Sequence, residues 1–198
     1  MVEKKRKVLS PNELNPFQAL LLLLVGIDNK PVKGRTWLQK EMFLIVNNIE
    51  GLGELSQYEP HHYGPYSELI EVQLENLKSY GLISENKEIT LTREGKLLFQ
   101  ELLKMSPPEL LELISEIKKD LNDLSQDELL AYIYFTFPEM TKESRVVDKI
   151  RKKRVNLAIS LYKKGKISLS KAAEIAGKPL PEFMRLLRQR KMKIPLSY

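Results

Sequence analysis

Cysteine is absent from the 198-residue chain. Its absence excludes disulfides, thiolate nucleophiles and thiolate metal sites, and agrees with a reducing compartment. Long apolar runs are missing too. The stretch "ALLLLLVGI" from Ala19 to Ile27 lies downstream of the basic "KKRK" of Lys4 to Lys7, but it is far shorter than the ~20 residues that cross a bilayer. It begins late and no small-x-small cleavage site follows, so it reads as a buried helix; a cytoplasmic chain with no membrane partner is expected. Glycine is sparse, at nine residues, and forms neither a phosphate-cradling loop nor a nucleophile elbow. The two histidines, His61 and His62, are adjacent. Neighbours in a strand point to opposite sides and no nearby acidic pair has metal spacing, so ring packing beneath a loop is the expected role. No catalytic residue, metal ligand or cofactor is assigned, and an enzyme is not expected.

What is present belongs to a folded chain. Hydrophobic residues make up 42% and charged residues 29%, well away from the disordered class. The net charge of +6 hides an uneven division: residues 1–141 hold 15 Lys/Arg against 22 Asp/Glu, and residues 142–198 hold 17 against 4. A basic module joined to an acidic body points to a polyanion at one end, nucleic acid being the commonest soluble one.

Local signals give an order of elements. Leu14 to Val25 reads as a buried helix closed by "DNKPVKG", and a second helix is expected from Thr36 to Asn47. "EGLGELSQYEPHHYGPY" reads as an extended loop. Ser67 is a natural N-cap for a helix reaching Tyr80, with Glu68 and Glu71 near its positive end. "LIS-ENK-EITLT" predicts a hairpin, and Thr92 caps the next helix. Pro107 and Pro108 open a helix to Asn122, and Ser125 caps another that ends before Pro138. Helix, helix, helix, hairpin, helix is the order of a winged-helix domain.

The runs "GRTWLQKEMFLI", "YEPHHYGPYSELIEVQLENLKSYGLI", "ITLTREGKLL" and "LSQDELLAYIYFTFPEMT" resemble the YwgA-type winged-helix family, related in pattern to the Panacea antitoxin-associated domain, over residues 15–141. "AISLYKKGKISLSKAAEIAGKPLPEFMRLLRQRKMKIP" resembles a small predicted antitoxin family that contains a helix-turn-helix. The fold class is therefore mainly α: an N-terminal winged helix with a small β-hairpin wing and added helices, and a C-terminal helix-turn-helix. The expected divisions are a basic flexible arm (1–13), the winged-helix domain (14–141), a basic linker or connecting helix (142–154) and the helix-turn-helix domain (155–198).

The chemistry concentrates in the last of these. Ala172, Ala173 and Ala176 are small enough for two helices to cross closely, Gly177 permits a turn with positive φ, and Phe183, Leu186 and Leu187 supply an inward face. Glu182, Arg185, Arg188 and Gln189 then fall on the opposite face, available to phosphates and base edges of a major groove. Ser170, Lys171, Lys178 and Lys191 flank them. Arg151, Lys152, Lys153 and Arg154, in "KIRKKR", add phosphate contacts and salt dependence. Secondary contacts from the first half are Lys33, Arg35, Lys40, Lys87 and Arg93. The third helix of that half carries Glu68, Glu71 and Glu75 against Lys78, which phosphates would repel, so partner binding or self-association is favoured there. Double-stranded DNA is the expected ligand, bound by a homodimer. The rival expectation is a protein-binding antitoxin or adaptor that engages a toxin, with DNA secondary.

Overall fold

The computed structural model describes residues 9–192. The "KKRK" of the basic arm and residues 193–198 lie outside the described residues. The protein is mainly helical with two small antiparallel hairpins. It divides into two compact units: one holds the chain to Glu59 together with Pro65–Asp123, the other Pro60–Gly64 and the chain from Leu124 onward.

In the first unit, α1 (Pro16–Gly26) starts under an Asn15 N-cap reciprocated by Gln18, with Pro16 in the first turn. Leu20 to Gly26 are buried without a polar break, so α1 is hydrophobic all round and forms the centre of the core. Its carboxyl end would leave bare carbonyls. Lys118, on α6 (Pro108–Asn122), supplies the donor: its buried Nζ lies 2.6–3.1 Å from the carbonyls of Leu24, Val25, Ile27 and Lys30. Desolvation pulls this ammonium down to about 8, against the opposing attraction of Glu41.

Helix α2 (Arg35–Asn47) begins one residue before the expected Thr36 and buries Leu38 to Val46. The segment expected as an extended loop instead contains the single-turn helix α3 (Leu52–Leu55) and the hairpin strands β1 (Glu59–His61) and β2 (Gly64–Tyr66). Helix α4 (Glu68–Ser79) is capped by Ser67, whose Oγ accepts from the Ile70 amide. Strands β3 (Ile83–Glu85) and β4 (Ile89–Leu91) pair antiparallel, with Ile83 opposite Leu91. Val32 adds one bridge to Ile89, exchanging backbone bonds of 3.0 and 2.8 Å. Helix α5 (Arg93–Met105) follows its Thr92 cap. Within the arm expected over residues 1–13, Leu9 packs on the core, and the Ser10 amide donates to Glu13 in a short 3-10 turn.

The second unit comprises α7 (Gln126–Thr136), α8 (Val147–Lys163), α9 (Leu169–Ala176) and α10 (Leu180–Gln189). Its boundary at Leu124 lies upstream of the division expected after Thr141. The reason is the first turn of α7. Burial would raise the Glu128 carboxyl, but Lys164 at the C-cap of α8 and Ser160 within it, with the Ser125 cap, overcome this and hold it at about 2. The expected break at 154/155 falls inside α8, which runs unbroken through it. Among the described residues no helix is long and apolar enough to cross a membrane.

Candidate nucleic-acid interface

Ser168 caps α9, accepting from the Lys171 amide, and Ala172, Ala173, Ile175 and Ala176 are buried. Gly177 then takes the left-handed conformation at φ 66°, and the Lys178 amide returns to the Ala173 carbonyl at 3.0 Å. With the Gly177 amide donating to the Glu174 carbonyl at 2.9 Å, this gives the paired hydrogen bonds that close a helix at a left-handed glycine. Lys178 and Pro179 complete the turn, and Pro181 sits in the first turn of α10. The basic tail is thus two helices and not one continuous rod.

Phe183 and Leu187, one turn apart, are fully buried and fix the inward face of α10. With 3.6 residues per turn, Arg185 and Gln189 point away from that face, with Arg188 and Glu182 to either side. Arg185, Arg188 and Gln189 are exposed, and among the described residues no ion pair involves either arginine. Lys178 pairs with Glu182 one turn on; that bond, with smaller help from Arg185, lowers the Glu182 carboxyl. Ser170 is exposed on α9, and Lys171 bonds Glu174 at 2.8 Å. Lys191 is exposed beyond α10. Arg190 is exposed beside it and extends the basic face, a signal carried by the run "RQRK".

The α8 cluster divides in three. Lys149 and Lys153, one turn apart, both reach Asp127 of α7, at 2.9 and 2.8 Å. Arg151 lies 3.5 Å from Asp148, and Lys152 is exposed with no ion pair among the described residues. Arg154 is engaged within the fold. Its Nε donates to the Ile175 carbonyl at 2.7 Å and a terminal nitrogen to the Glu174 carbonyl at 3.2 Å, while the guanidinium lies 4.3 Å from the Phe135 ring.

Two of the secondary candidates in the first unit are likewise engaged within the fold. Lys40 is buried, donating to the Pro65 carbonyl at 3.0 Å, and desolvation pulls it down to about 7, so it has no path to a phosphate. Arg35 is held by three carboxylates, Glu85, Glu75 and Glu71. It neutralises much of the acidic surface of α4 and is itself occupied. Lys33, 5.6 Å above the Trp37 ring, and Lys87 and Arg93 are exposed.

The histidines do not point apart. β1 ends at His61, so strand alternation does not govern His62, and the two rings lie 4.3 Å apart with His61 exposed. Among the described residues no group of three His, Asp or Glu is placed to hold a metal ion.

No curated protein matches the chain. Residues 131–198 match a family described as "Uncharacterised protein family (UPF0175)", a match that begins within α7 and takes in α8, α9 and α10.

Proposed function

We propose that the protein is a double-stranded DNA-binding regulator of transcription, antitoxin-like in organisation, which inserts α10 into a major groove. The observation that carries this reading is the pairing of opposite faces on α10: Phe183 and Leu187 fully buried, Arg185, Arg188 and Gln189 exposed, behind a glycine turn that sets the helix apart from α9. Arginine there is suited to guanine edges or phosphates, Gln189 to adenine, and Glu182 to cytosine. Ser170, Lys171, Lys178, Lys191, Arg151, Lys152 and Lys153 supply the flanking phosphate contacts, Lys153 after exchange from Asp127.

The first unit is assigned the winged-helix reading. Its support is the order α1, the Val32 bridge, α2, α4 and the β3–β4 hairpin, with the resemblance of residues 15–141 noted above. In that reading α4 takes the place of a groove-reading helix, yet its surface is an ion-paired set of carboxylates around Arg35. Protein contact fits that surface better than phosphate, so this unit serves self-association or a toxin partner.

The test is binding of the full chain to a random-sequence duplex pool across a salt titration, with selection of any preferred sequence. A steep loss of affinity with salt and recovery of a consensus are expected. Salt-insensitive or absent binding would overturn the reading and leave the protein-binding adaptor in its place.

A further inference from the structure

Arg154 has three neighbours that a phosphate-binding side chain would not need. Its guanidinium bridges two successive carbonyls, Glu174 and Ile175, at the carboxyl end of α9. Phe135 lies on one side of it, 4.3 Å away. On another side is Gly177, where an added Cβ would fall 2.6 Å from the guanidinium carbon. The planar fork thus fills the space a side chain at Gly177 would occupy; it satisfies the Ile175 carbonyl at the helix end and adds a second donor to the Glu174 carbonyl, which also accepts from the Gly177 amide.

Those contacts join three helices at one point: α7 through Phe135, α8 through Arg154 itself, and α9 through its last turn. The turn to α10 starts at that same glycine. The orientation of α10 about this turn decides where Arg185 and Arg188 project. A lysine retains the charge, but it can neither bridge two carbonyls in a plane nor stack flat on a ring.

We propose that Arg154 is the positioning residue of the interface, fixing the Gly177 turn so that α10 presents its arginines in register, without itself touching nucleic acid. The consequence for DNA rests on the function proposed above; the fixing of the turn does not. The two parts therefore have separate readouts.

The experiment compares the full-length wild type with Arg154→Lys and Phe135→Leu, the second keeping the arginine while removing its ring. Amide hydrogen exchange in the free protein reads the turn: exchange at Gly177 and Lys178 is expected to rise about tenfold in Arg154→Lys and less in Phe135→Leu. DNA binding is measured on a duplex selected by the wild type and on a scrambled duplex of the same composition. The preference between them is expected to fall about tenfold in Arg154→Lys, with the salt dependence unchanged. Unchanged exchange in both variants overturns the proposal. So does a preserved preference with a salt slope reduced by about one in a third variant, Arg154→Ala, measured on the same two duplexes, which would make Arg154 a phosphate contact. If the wild type binds neither duplex, the function proposed above fails and the exchange measurement alone decides whether Arg154 fixes the turn.

Discussion

Arg35 meets Glu85 fork to fork: Nε donates to one carboxylate oxygen at 2.7 Å and a terminal nitrogen to the other at 2.6 Å. The pair ties the start of α2 to the end of β3, and Glu75, Glu71 and Lys78 complete a network around it. Bidentate geometry is the strongest form of this interaction. Its worth is nonetheless limited, because the Arg35 side chain is 43% exposed and screened by water.

The first prediction concerns acid. Arg35 above all, then Lys78, holds the Glu85 carboxyl at about 2 against an ordinary 4.5. A depressed carboxyl stabilises the fold fully above its unfolded value, and the contribution is lost as pH falls toward the folded one. Glu85→Gln is therefore expected to cost about 1 kcal/mol at neutral pH, after discounting for screening. The difference from wild type should shrink as pH falls from about 4.5 toward about 2, read from urea midpoints across that interval.

The second runs in the opposite direction. Glu41 is fully buried and neither carboxylate oxygen has a hydrogen-bond partner among the described residues. Desolvation pushes its carboxyl up to about 8 despite the attraction of Lys118 and Lys33. Between about 4.5 and about 8 the native chain holds a proton that the unfolded chain has released, so this residue erodes stability as pH rises through that window. Glu41→Met should stabilise the protein, by an amount that grows across the window and levels off above it. A gain independent of pH would show that the carboxyl titrates normally.

Capping chemistry is what made the fold legible in sequence. Ser67, Thr92 and Ser125 each accept a backbone bond from the residue three positions on, and Gly177 takes the left-handed turn expected of it. These are local decisions made within a few residues. What the sequence leaves hidden has a different origin. Lys40 and Arg154 carry the same side chains as surface cations, and nothing nearby in sequence reveals that the Pro65 carbonyl or the end of α9 waits for them. The change of charge near residue 142 is a compositional signal only, and it carries no trace of the contacts by which Glu128 of α7 meets Ser160 and Lys164 downstream. For the site, the outward face of α10 followed from helical spacing, while the sorting of the α8 cations depended on one distant acid, Asp127.

The third prediction follows from that sorting. Arg185→Ala with Arg188→Ala is expected to lower affinity for a selected duplex by about 1–3 kcal/mol per arginine. Thermal stability should hardly change, since both side chains are exposed without ion pairs among the described residues. Lys149→Ala should have a smaller effect, because Asp127 already holds that ammonium. Equal losses from all three, measured by fluorescence anisotropy, would point to a diffuse basic surface in place of a reading helix.

The fourth prediction isolates the turn. Gly177 has φ 66°, where a side chain is strained, and an added Cβ would fall 2.6 Å from the Arg154 guanidinium. Gly177→Ala therefore meets two separate penalties: the left-handed backbone, about 1 kcal/mol, and displacement of a guanidinium that bonds two carbonyls. Removing the guanidinium first should relieve the second penalty and leave the first. Urea unfolding of Gly177→Ala, Arg154→Ala and the double variant tests this as a cycle, because residues in contact do not add. The double variant is expected to be more stable than the sum of the single losses would allow; strict additivity would mean that the alanine methyl and the guanidinium never compete for the same space.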